Sequence, residues 1–114
     1  MTISYLQFFE PIVLTTSDQT IYTVPASPTT NILRGGRVRF ANSSASAVQV
    51  SAYAVPANGS ASAPGNVFAP GISVPSYGFI DVDVPLMSAG DFIQAVAGSA
   101  SAITMSAING ALFS

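Results

Sequence analysis

The chain has 114 residues, 49% of them hydrophobic and only 7% charged, with a net charge of −2 and a pI near 4.4. That length holds one ordinary domain with its own core and no second one. His, Cys, Trp and Lys are all absent, which excludes disulfides, the usual zinc, copper, haem and iron–sulfur sites, Ser-His-Asp and Cys-His catalysis, Schiff-base lysines and the P-loop.

Nine glycines and eight prolines leave no helical pattern of useful length, and β-branched residues dominate the apolar stretches. The pattern predicts an all-β chain, a single antiparallel β-sandwich. Ile12 to Thr15 reads as a short strand, and Thr20 to Val24 as a second that stops at Pro25. Thr29 to Leu33 is extended, and Gly35-Gly36 then breaks or bulges the chain. Arg37 to Ala41 alternates, with Val38 and Phe40 on one face and both arginines on the other. In Ala47 to Val55 the inward set is Val48, Val50, Ala52 and Ala54. Residues Pro56 to Pro70 read as a long loop with a little strand near Asn66 to Ala69. Tyr77 to Val84 turns Ile80, Val82 and Val84 inward and Asp81 and Asp83 outward. Asp91 to Ala97, after a Gly90 turn, and Ala102 to Ile108 complete the set.

Ser-Ala-Ser-Ala occurs at 44–47, 60–63 and 99–102. The first and last copies have similar surroundings: Gly35 to Ala52 and Gly90 to Ala107 each read as strand, small-residue turn, strand. They are expected to be equivalent hairpins of a pseudo-symmetric Greek key.

The acidic balance argues against a nucleic-acid partner. Mean hydropathy of +0.52 and 10% aromatic residues argue against disorder. No apolar run approaches the roughly 18–20 residues of a membrane helix. Met1 to Glu10 lacks a basic start and an unbroken apolar run, so use without Sec export is expected.

Arg34, Arg37 and Arg39 carry all the basic charge. They read either as a contact patch for an acidic partner or, for Arg37 and Arg39, as cross-strand partners of Asp81 and Asp83. The two aspartates, roughly 7 Å apart along a strand, have a metal-like spacing but no further oxygen ligands nearby. No metal, cofactor or catalytic residue is expected. The ends are more informative. Met1 to Glu10 is expected to be an N-terminal arm ahead of a domain at 11–114, and its Tyr5, Leu6, Phe8 and Phe9 are apolar. Such an arm must be covered by its own domain or by a neighbour, and docking on a neighbouring subunit is expected for it. Leu112 and Phe113 after the last strand join the expected interface.

Three stretches resemble small virion proteins of tailed bacteriophages: Val38 to Ser44 running into Ala47 to Pro56 and the Gly59-Ser60 loop; Leu86 with Ala89 to Ala95; and the segment Ser99 to Gly110. The resemblance covers about half the chain and implies a jelly-roll-like fold and a non-enzymatic structural role. It implies a homo-oligomer, a trimer above all, on the major capsid protein or other virion proteins, most simply as a capsid decoration (cement) protein. Tail, baseplate or fibre components share the pattern. Two other classes are a glycan-binding sandwich using Tyr53, Tyr77 and loop residues Asn58 to Asn66, and a minimal enzyme using Asp81 or Asp83.

Overall fold

The computed structural model describes residues 3–5, 7–27, 29–59 and 64–113, with backbone only at 4, 5 and 64. Ten strands follow in chain order: β1 (Ile3–Tyr5), β2 (Ile12–Val13), β3 (Gln19–Thr23), β4 (Ile32–Asn42), β5 (Val48–Val55), β6 (Val67–Val74), β7 (Phe79–Asp83), β8 (Met87–Ser88), β9 (Phe92–Ala97) and β10 (Ile103–Phe113). Among the described residues the only helical element is a 3-10 turn at Pro64–Asn66. The strands form two antiparallel sheets. The first runs β1-β10-β4-β7, with β2 also on β10 and β8 also on β4; the second runs β3-β9-β5-β6. The order β2-β10-β4-β7 facing β3-β9-β5-β6 is that of a jelly roll, two Greek keys wound together. The all-β sandwich expected from the sequence is this fold.

Both sheets feed one core cluster: the second contributes Ala52, Ala69, Ala95 and Ala97 beside Val48, Val50, Val74 and Ile93, and the first contributes Leu33, Val38, Phe40, Ile103 and Met105. Small residues among large ones let the layers interdigitate.

Three expectations need correction. The Gly35 to Ala52 and Gly90 to Ala107 segments are not hairpins, because β4 and β5 lie in different sheets, as do β9 and β10. Each small-residue segment carries the chain across the sandwich. Their equivalence survives in another form: β4 pairs with β10 and β5 pairs with β9. The two crossings also touch, with the Ser43 amide donating to the Ala102 carbonyl at 3.0 Å. The third Ser-Ala-Ser-Ala copy, at 60–63, lies outside the described residues.

The second correction concerns the expected loop from Pro56 to Pro70: the little strand near Asn66 to Ala69 is part of a full edge strand, Val67–Val74, that runs through Pro70. Pro70 and Gly71 sit within it at a register shift, and Gly71 has φ of +55°. An edge strand tolerates proline at a bulge because its free side needs no donor.

The third concerns the first ten residues. β1 pairs with Ala111 to Phe113 of β10 in the same sheet. Phe8 and Phe9 then turn into the core, edge-to-face with each other at 5.0 Å, and Phe8 meets Tyr22 at 5.2 Å. Both rings find a slot in their own domain, so they are not available to a neighbouring subunit. Leu6 and the side chain of Tyr5 lie outside the described residues.

Candidate functional site

The outer face of the first sheet gathers Arg34, Arg37, Arg39, Asp81, Asp83 and Phe113 of the residues singled out in the sequence. Strand β4 reaches it through a paired irregularity. One extra residue, Ile108, enters β10 between the pairs Val38–Ala107 and Arg37–Asn109, and β4 gains one residue between Arg37 and Arg34. Gly35 supplies the required φ of +64°. Gly36 sits where an added Cβ would meet the Val84 Cβ at 3.0 Å. This bulge changes the alternation of β4, so Leu33 points inward while Arg34 is exposed like Arg37. All three arginines therefore share one face.

The face is layered. At one end a row crosses four strands as Val13, Thr104, Ala41 and Phe79. Val13 and Phe79 are 51% and 54% exposed. The next two rows are ionic: Arg39 bonds Asp81 at 2.8 Å, and Arg37 approaches Asp83 at 3.3 Å. The cross-strand pairing expected from alternation is present. The Arg39 guanidinium also lies 4.1 Å from the centre of the Phe79 ring. Hydrogen bonding from Arg39 holds the Asp81 carboxyl below the usual carboxylate range, and the same bond pushes Arg39 up. Beyond these rows Arg34 stands over the Phe113 ring at 5.2 Å. The far row is Ile3, Phe113, Ile32 and Ser88. Leu112, one residue earlier, packs against the core.

Of the flanking hydrophobic residues of this face, Phe113 was singled out in the sequence, whereas Val13, Phe79, Ile3 and Ile32 were not. The signal for Phe79 was present, since alternation that turns Asp81 and Asp83 outward turns Phe79 outward too. The same alternation, with Ile103 and Met105 inward, also turns Ile108 outward.

Other candidates are kept apart by the fold. Tyr53 lies on the second sheet beside Gln94, whereas Tyr77 is in the β6–β7 turn, its amide donating to the Ser44 carbonyl. The two tyrosines do not share a face. Asp91 is used locally, its carboxylate accepting the Ser88 and Ala57 amides at 2.9 and 3.2 Å. No group of three or more acidic residues is gathered among the described residues.

No family model and no curated protein matches the sequence. Solved structures do share the fold. A chain from the structure of infectious bursal disease virus Gx strain superposes with a TM-score of 0.54 at 13% identity, over 97% of this chain and 31% of that one. A chain of the VP2 subviral particle of the same virus gives 0.55 at 9% identity, over 98% and 32%. A Gt-strain structure gives 0.55 at 10%, over 97% and 32%. This chain thus spans about a third of the length of each of those chains, and the likeness is one of fold.

Proposed function

We propose that the chain is a non-enzymatic structural subunit of a virus particle, acting as a capsid decoration (cement) protein that binds a phage head as a homotrimer. The observation that carries the reading is the strand order β1-β10-β4-β7 over β3-β9-β5-β6, a jelly roll whose likeness to virus-particle chains extends over 97% of this chain. The outer face of the first sheet supports it. Two partly apolar rows flank two ion pairs, so the face presents exposed Val13, Phe79 and Ile3 beside charges that are matched except at Arg34. Such a surface is suited to burial against a neighbouring subunit. The decoration role and the trimer rest on the resemblance to small phage virion proteins.

The test has two parts. Particles from the source of the sequence are purified and probed for the chain by mass spectrometry, with head and tail fractions separated. The isolated chain is weighed in solution. The reading predicts the chain in the head fraction and a solution mass three times 11.6 kDa. Its presence in tails alone would move the role to a tail component, and its absence from particles would overturn the reading.

A further inference from the structure

We propose that the notch at the paired bulge is a carboxylate-binding site for a second copy of this chain, in which the Arg34 guanidinium of one copy takes the Glu10 carboxylate of the next. The proposal rests on the reading of the chain as an assembling subunit. The notch arises because β10 is covered along one side only at its ends. β2 pairs at Thr104 and Met105, and β1 pairs from Ala111 onward. Between them the chain leaves the sheet to bury Phe8 and Phe9. The result is an open groove of about 490 Å³ lined by Gln7, Arg34, Gly35, Ile108, Asn109 and Ala111, among others.

The charges show what the groove takes. Arg37 and Arg39 are matched by Asp83 and Asp81, and Asp91 is engaged in its turn. Among the described residues Arg34 has no carboxylate partner, only the Phe113 ring. Glu10 and Asp18 are exposed, and neither has an arginine partner among the described residues. Arg34, Gln7 and Asn109 all line the groove, and a guanidinium with side-chain amides provides planar donors suited to a carboxylate. Glu10 lies on the same edge, between Tyr5 opposite Ala111 and Ile12 opposite Met105. Copies related by rotation can therefore each give a Glu10 and fill an Arg34 groove, closing a ring with no site left over. Asp18 is in the turn beside Ala97, bonded through Thr15, away from this edge. Ile108 and Ile3, 40% and 45% exposed, add apolar area near the groove.

The test is sedimentation equilibrium on the full chain. Wild type is expected to associate. Arg34→Glu and Glu10→Arg should each weaken association about tenfold or more, because each puts like charges together. The exchange variant Arg34→Glu/Glu10→Arg should restore it. Salt at about 0.5 M should weaken the wild-type contact. Circular dichroism and melting confirm that each exposed variant folds. A monomeric wild type, an Arg34→Glu variant with wild-type mass, or an exchange variant no better than the singles would each overturn the contact. Rescue of Arg34→Glu by Asp18→Arg in place of Glu10→Arg would also overturn it. The particle reading is judged separately: loss and rescue of association in a chain absent from particles would sink that reading and leave this contact standing.

Discussion

Arg39 and Asp81 meet on adjacent strands through two hydrogen bonds, Nε to Oδ1 at 2.8 Å and Nη2 to Oδ2 at 3.1 Å. The neighbouring Arg37–Asp83 pair is looser and more exposed. The carboxyl of Asp81 is more acidic in the folded chain, first because Arg39 hydrogen-bonds its ionised form. The linked stability is therefore complete above the ordinary carboxylate pKa near 4 and is lost as pH falls through the depressed folded value. Melting followed from pH 7 into acid should show wild type losing more stability below about pH 4 than Asp81→Asn. At neutral pH the Asp81 change should cost a few degrees at most, because the pair faces solvent. Equal acid limbs in wild type and Asp81→Asn would contradict this.

Phe8 tests whether the first ten residues belong to the domain. Phe8→Ala should cost about 3–5 kcal/mol in denaturant unfolding, the range for a buried aromatic ring. Deletion of residues 1–9 should give a chain without a cooperative transition. A truncated chain that melts like the full one would restore the idea of a detachable arm.

Asn42 holds the β4–β5 crossing between the sheets. Its Nδ2 donates to the Ser46 and Val74 carbonyls, and its Oδ1 accepts from the Ser44 amide and hydroxyl. Removing a buried group with these partners leaves polar atoms unmet. Asn42→Ala should therefore destabilise by about 2 kcal/mol, read as a fall in the denaturant midpoint at constant slope. An unchanged midpoint would show that the crossing does not need the side chain.

Gly35 separates conformational strain from crowding. An added Cβ meets nothing within 4 Å, yet φ is +64°. Gly35→Ala should then cost about 1 kcal/mol through backbone strain alone, and Gly35→Asn less, since asparagine tolerates this region. Equal losses for both variants would point to some other cause.

Much of this was legible where the chain alternates regularly. The inward Val38 and Phe40 and the opposed Arg39 and Asp81 follow from period-2 spacing, and the structure pairs them as expected. The fold class followed from the same spacing and from the distribution of proline and glycine. What escaped was non-local or irregular. A small-residue turn after a strand looks the same whether the next strand pairs with it or crosses to the other sheet, so residues 43–47 read as a hairpin. Pro70 read as loop because the local sequence does not mark β6 as an edge. Phe8 and Phe9 break any strand alternation by being buried side by side, which only a chain leaving the sheet permits. The notch beside Arg34 depends on an extra residue in each of two strands 70 positions apart in sequence, roughly the separation of Arg37 and Asn109.

The most direct measurement is electron cryomicroscopy of the purified particles at a resolution that separates sheets. The chain should appear as a jelly roll of about 46 × 27 × 17 Å on the head surface, in clusters of three, with the outer face of the first sheet covered by a neighbour. Particles that lack this density, or that carry the chain as isolated copies with Val13, Phe79 and Ile3 open to solvent, would contradict the assignment.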